Sequence, residues 1–254
     1  MKGRLFLVPT PLDHGCAEQT PLDDVLPLGT IKKAAAIACW ISENAKSTRA
    51  FLKRVDAVAP LAQPIQAQQI TELPREVHKK GDHAGAARLD ARPLLAPALQ
   101  GQDVGLISEA GMPAVADPGS SVVRAAHQLG IEVLPLTGPV SLLLALAASG
   151  LNGQNFAFTG YLPQDASART TQIQQISRAV QQSGQTRIVI ETPYRNQVLL
   201  EALLSGLDGQ LRLCVASGLT LPDADGARSA SVAEWRQARW PVTPKAPAVF
   251  LIGR

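Results

Sequence analysis

Short apolar runs alternate with longer stretches of helical composition along the chain. Residues 4–8 are apolar and stop at Pro9, the pattern of a short buried strand. Residues 34–41 are apolar and fit either period. The favoured reading is a strand ending near Ile41, then a helix over 44–55. Residues 58–74 are rich in Gln and Pro and read as irregular, and 78–99 have helical composition interrupted by Pro93. Residues 103–108, DVGLIS, form another buried-strand pattern. Asp117-Pro118-Gly119 is a turn signal, with Asp117 expected to cap a helix that starts at Ser120 and closes at Gly130, a direct ligand role being the alternative. A strand over 131–136 follows. Gly138-Pro139 then leads into an apolar helix over 140–149, ended by Gly150.

A second series continues from there. It predicts strands at 156–160, 187–191, 211–216 and 248–252, helices at 169–182 and 196–204, and a short strand plus helix within 230–239. Strands alternating with helices of this length indicate an α/β architecture with largely parallel sheets. A boundary near Asp117 gives an N-terminal α/β domain, 1–116, and a C-terminal α/β domain, 117–254. No internal repeat is evident.

Composition narrows the function classes. Of the 254 residues, 46% are hydrophobic and 18% charged, enough for packed cores. The formal charge is only +3, and the basic runs, Lys32-Lys33 and Lys79-Lys80, are too short for a phosphate-neutralising patch. The three cysteines are far apart, and His14, His78, His83 and His127 have no ligand spacing, so no metal is expected. The N-terminus lacks the apolar run of a signal peptide, and the longest apolar block is about half a membrane span. A cytoplasmic protein without membrane partners is therefore expected.

Candidate chemistry follows from where strands end. In open α/β sheets ligands bind beyond the C-terminal strand ends, which selects the loops at 9–11, 108–113, 136–141, 191–195 and 216–220. No G-x-G-x-x-G follows a strand, and neither a phosphate-binding P-loop nor a G-x-S-x-G elbow occurs. Within the selected loops Glu109 is the carboxylate to watch, for a reacting group or an acceptor proton, or else for bracing the loop. Arg195 suits a substrate phosphate or carboxylate. Lys46, Arg49 and Lys53 share one face of the expected helix, where Lys46 and Arg49 are candidates to meet substrate.

The run ISEAGMPAVADPGSSVVRAAHQLGIEVLPLTGPVSLLLALAASG, residues 107–150, strongly resembles the tetrapyrrole methylase superfamily. Within it the small-subunit ribosomal 2′-O-ribose methyltransferases are nearest. RLFLVPTP, FTGYLP and IETPYR resemble that group's opening strand and loop, its F-x-G-F-L-P and its Y-E-S-P-H-R. The resemblance implies two α/β domains with S-adenosylmethionine in the cleft between them, usually in a homodimer. Carried over, it implies cofactor contacts at Pro9, Ser108, Ala110, Gly111, Met112, Val115, Ala116, Val140, Ser141, Val215 and Ala216, and catalysis around Glu109.

The chain also departs from that group. The group's Gly-Asn pair after the opening strand is replaced within Asp13-His14-Gly15, and its A-E-D-T-R segment by Ser42 to Arg49. The basic C-terminal extension common in the group does not follow Arg254. The expectation is an S-adenosylmethionine-dependent methyltransferase acting on the ribose of 16S ribosomal RNA, in the small subunit. The alternatives are a tetrapyrrole or other small-molecule acceptor, and a catalytically silent cofactor-binding protein.

Overall fold

A computed structural model of the chain describes residues 1–74, 89–222, 226–238 and 247–254. These divide into two compact units, 1–14 with 19–140, and 15–18 with 141–254.

The first unit is built on five strands: β1 (Leu5–Val8), β2 (Cys39–Ser42), β3 (Gln69–Glu72), β4 (Val104–Ile107) and β5 (Val133–Pro135). Their order is β3-β2-β4-β1-β5, and every neighbouring pair is parallel. The three central strands, β2, β4 and β1, are apolar on both faces because the middle of the sheet is buried on both. Phe6, Val8, Trp40 and Ile107 pack with Ile31, Ala34, Phe51 and Leu52 from the helices Leu28–Ala36 and Ala45–Val58. Leu5, Ile41, Val104 and Leu106 pack instead with Leu95, Ala98, Val122 and Ala126. A β-carbon on Gly105 would lie 2.5 Å from Trp40 Cζ3, so the glycine in β4 makes room for the indole beside it.

The second unit holds β6 (Phe156–Gly160), β7 (Thr186–Glu191), β8 (Arg212–Ser217), β9 (Gly226–Ser231) and β10 (Ala248–Gly253), ordered β6-β7-β10-β8-β9. The helices Ala166–Ser183 and Asn196–Gly206 bury Ile173, Ile176, Val180, Leu199, Leu200 and Leu203 against Val189, Leu213, Val215, Phe250 and Ile252. The helix Ser141–Ser149 packs on β8, β9 and β10.

Several expectations change. The helix Leu28–Ala36 takes the first three residues of the run 34–41, and β2 begins only at Cys39 and ends at Ser42, beside the expected Ile41. Thr30, Ile31, Ala34 and Ala35 repeat at helical spacing and are buried, which decides between the two periods. Residues 58–74 are not irregular throughout. They contain β3, an edge strand with little buried surface and hence no apolar pattern. The second sheet is mixed, because β10 runs antiparallel to both β7 and β8, and β8 to β9. Of the stretch 78–99, residues 78–88 lie outside the described residues. Further on, a 3-10 turn, Arg92–Leu95, and a short helix, Ala96–Leu99, start at prolines.

Asp117 does not cap the following helix. Gly119 occupies the N-cap with φ 135° and no side-chain cap bond. The division between units also falls after Val140 and not at Asp117. Residues 117–140 carry β5, which pairs with β1, and so stay with the first sheet.

Candidate functional site

The C-terminal ends of β1, β2 and β4 carry loops that lock onto one another. Thr10 and Gly111 exchange both backbone hydrogen bonds, at 2.9 and 3.1 Å, and the Thr10 hydroxyl reaches the Ser108 carbonyl at 3.4 Å. The Glu43 amide donates to the Ile107 carbonyl, and the Glu109 amide donates to Glu43 Oε2 at 3.2 Å. Glu43 therefore stands beside Glu109 because β2 and β4 are neighbours. Asn44 caps the helix Ala45–Val58 by accepting from the Lys46 and Ser47 amides, and Glu72 at the end of β3 accepts from Ala45. The hydroxyls of Ser42 and Thr48 meet at 2.6 Å, completing the turn.

The loop after β4 is tightly wound. Gly111, Ala114, Ala116 and Gly119 all have positive φ. The two alanines cost about 1 kcal/mol each in that region, so the surroundings impose the conformation. Pro139 and Leu12 crowd Gly111, and Gly138 has Pro9 and Leu26 where a β-carbon would sit.

The electrostatics are acidic. Asp117 is half-buried, and its pKa is raised to about 7. Burial is the main cause, with repulsion from Glu43 and Glu109 added, against a weaker pull from the Ser108 hydroxyl. Ser108 is itself buried, and its Oγ makes no hydrogen bond of good geometry. His14 Nε2 lies 3.6 Å from Glu109 Oε2. Below this rim Asp13, only 3% exposed, pairs with Arg54 through two hydrogen bonds of 3.0 and 2.9 Å, and it accepts the Thr20 amide.

Of the residues singled out in the sequence, Pro9, Ser108, Glu109, Ala110, Gly111, Met112, Val115 and Ala116 all lie on these interlocked loops. Pro9, Ser108 and Gly111 are buried, whereas Val115 and Ala116 are exposed. Val140 closes the first unit, and Ser141 opens the first helix of the second. Val215 and Ala216 are buried within β8, paired on both sides. Lys46, Arg49 and Lys53 are exposed on the helix Ala45–Val58. Arg195 is engaged by Glu191, with Nη2 and Nε at 2.6 and 2.9 Å from Oε1, and its guanidinium lies 5.6 Å from the Tyr194 ring.

His14 and Glu43, known from the sequence only as members of the departing segments 13–15 and 42–49, and Asp117, read first as a helix cap, join the group around Glu109. Only the order β2-β4-β1 brings them together. The signal available was that Glu43 directly follows β2 and Asp117 lies within the strained loop; His14, six residues past β1, gave none.

The tetrapyrrole (corrin/porphyrin) methylase profile matches residues 28–229. The chain belongs to this family. Its members transfer methyl groups from S-adenosylmethionine, and that is the activity the membership assigns to this chain. The chain is 33% identical over 224 residues to the ribosomal RNA small subunit methyltransferase I of Pseudomonas aeruginosa, a match covering 86% of this chain and 67% of the relative. The enzyme of that name from Vibrio cholerae is 35% identical over 130 residues, 51% of this chain and 44% of its own. Among solved structures, the uroporphyrin III C-methyltransferase of Thermus thermophilus shares the fold at TM-score 0.55 and 19% identity, over 99% of this chain and 98% of that one. Among the described residues no helix is long and apolar enough to cross a membrane, and no cluster of His, Cys, Asp and Glu could hold a metal.

Proposed function

We propose that the chain methylates a ribose 2′-hydroxyl of small-subunit ribosomal RNA. The single observation that carries the site is the mutual locking of the loops after β1, β2 and β4, which gathers Glu43, Glu109 and Asp117 around one strained turn. The names of its relatives support RNA as the acceptor. That acceptor puts the chain where ribosomes are, in the cytoplasm.

The residues present fit S-adenosylmethionine. Its sulfonium and ammonium are cationic, and three carboxylates stand on one rim. Its adenine needs apolar surface beside polar backbone, and exposed Val115 with half-buried Met112 supplies it. Ser108 offers a buried hydroxyl with hydrogen-bonding capacity to spare. Pro9, Ser108, Ala110, Gly111, Met112, Val115, Ala116 and Val140 are the contacts we assign on the first unit.

The cofactor brings an electrophilic methyl group, and the protein brings position and electrostatics. Holding the acceptor oxygen in line supplies about 7–11 kcal/mol of the barrier. The acceptor must also lose its proton. Glu109, which is half-buried and within 3.6 Å of His14, is the residue we assign to take it. Lys46 and Arg49 present exposed positive charge suited to the RNA backbone. Arg195, already bound by Glu191, positions its own loop.

The chain works, in this reading, as a homodimer. The strand β6 lies at a sheet edge and leaves Phe156 and Phe158, two residues apart, 40% and 41% exposed.

The test is calorimetric titration with S-adenosylmethionine, followed by labelled methyl transfer to small ribosomal subunits that lack the modification. Both binding and transfer are expected, and Glu109→Ala should lower turnover by about a thousandfold while leaving cofactor affinity nearly intact. Absence of cofactor binding would sink the reading. Binding with transfer to a tetrapyrrole and none to subunits would replace the substrate. Equal losses of turnover and affinity in Glu109→Ala would make Glu109 a loop brace.

A further inference from the structure

Both tyrosines of the chain, Tyr161 and Tyr194, stand at the same end of two adjacent strands. The strands β6 and β7 are parallel, with Gly160 opposite Val189, so the loops that follow them leave the same end of the sheet. Tyr161 comes directly after β6 and is 54% exposed. Tyr194, three residues past β7, is 76% exposed. Large rings are normally taken out of water, yet both are left in it.

The segment carrying Tyr194 is rigid. Pro193 opens the 3-10 turn Pro193–Arg195, and Glu191, whose side chain is nearly buried, accepts from the Thr192 amide at 2.7 Å and from Arg195 at 2.6 and 2.9 Å. The Arg195 guanidinium lies 5.6 Å from the Tyr194 ring centre. The other segment is tied as well, since Arg169 reaches back to the carbonyls of Pro163 and Gln164 at 3.4 and 3.0 Å. Tyr194 is thus presented on a braced turn that also carries an arginine, and the loop after Tyr161 is braced by an arginine of the following helix.

Two exposed aromatic rings, one of them beside a guanidinium, match one ligand chemistry above others: unstacked bases on a polyanionic strand. A peptide partner would gain from a continuous apolar groove, whereas the loops that carry these rings also carry polar Gln164, Thr192 and Arg195. We propose that Tyr161 and Tyr194 form a stacking platform for unpaired bases of single-stranded RNA, within the RNA that is methylated. The platform rests on the ribosomal RNA reading above and adds to it the state of the substrate: splayed, with bases accessible from their faces. Glu191 and Arg195 are its positioning residues.

The experiment uses the full-length chain with S-adenosylmethionine, fluorescein-labelled single-stranded RNA oligonucleotides, and small ribosomal subunits. Tyr161→Ala and Tyr194→Ala are each expected to weaken oligonucleotide binding by about tenfold and to raise KM for subunits in step, with kcat and cofactor affinity unchanged. Tyr161→Phe and Tyr194→Phe should keep binding within about twofold, because the ring, not the hydroxyl, does the stacking. Unchanged KM in the alanine variants of an enzyme that methylates subunits normally would overturn the platform and leave the RNA reading standing. Phenylalanine variants as weak as alanine would overturn it too, as would alanine variants that bind RNA normally but change the oligomeric mass. If the wild-type chain neither binds the oligonucleotides nor methylates subunits, the RNA reading and the platform fall together.

Discussion

The loops after β1, β2 and β4 and the loops after β6 and β7 occupy the same kind of place, the C-terminal ends of parallel strands, and are built in opposite ways. The first set is acidic and locked by backbone hydrogen bonds between loops, with Glu109 anchored on Glu43 and Thr10 on Gly111. The second set is aromatic, and the loop after β7 is held within itself by Glu191 and Arg195. The difference follows from what each set is suited to meet. A small cationic donor needs a fixed, negative, close-fitting turn. A polyanionic strand is met by projecting rings and guanidinium groups on braced but open loops. Preorganisation is common to both, but in the first it is shared across three strands and in the second it is local.

That contrast can be broken at its strongest point. Asp13→Ala strands the Arg54 guanidinium, which is mostly buried and otherwise bound to Asp13 and the Thr20 carbonyl. A loss of about 3 kcal/mol is expected in urea unfolding, because breaking a buried pair leaves an uncompensated charge. A loss no larger than that of a surface substitution would show that the first set is not held from below. Gly138→Ala is the next largest. Its β-carbon would fall 2.5 Å from Pro9 Cβ and 2.9 Å from Leu26 Cδ2. Forcing the loops apart should cost about 2 kcal/mol and weaken S-adenosylmethionine binding, as read by calorimetry.

Asp117→Asn sharpens the electrostatic half of the contrast. The folded chain holds this proton up to about pH 7, while an unfolded Asp releases it near 3.8. Between those values the folded state binds more protons, so wild-type stability falls as pH rises from about 4 to about 7 and is level above. The asparagine variant should lose that slope and be more stable than wild type at pH 8 by about 1 kcal/mol. This is less than the full shift implies, because the carboxyl is partly exposed. Urea midpoints at pH 5 and pH 8 decide it. The smallest effect belongs to the other set: Tyr194→Ala should change stability by less than about 0.5 kcal/mol, since the ring is mostly in water. A larger loss would mean that Tyr194 packs the fold.

Much of this was legible in the chain. The strands at 104–107, 156–160 and 186–191 and the helices at 120–128, 141–149 and 196–206 stand close to where period, proline and glycine put them. The run at 34–41 was ambiguous because alanine and isoleucine serve either period, and burial of Ile31, Ala34 and Ala35 on one helical face decided it. The edge strand β3 was silent because its side chains are mostly exposed. The antiparallel course of β10 was hidden because an apolar run carries no direction.

The loop from Ser108 to Gly119 shows where the limit falls. Its glycines, prolines and carboxylates mark a ligand-bearing turn in the sequence itself, since close backbone approach and positive φ demand those residue types. That Glu43 stands against Glu109, that His14 faces the same carboxylate, and that Asp117 is crowded by both acids instead of capping a helix, came only with the fold. Those contacts join residues up to 95 positions apart, and the pairing of β2 with β4 and β4 with β1 sets them, not any local preference of the chain.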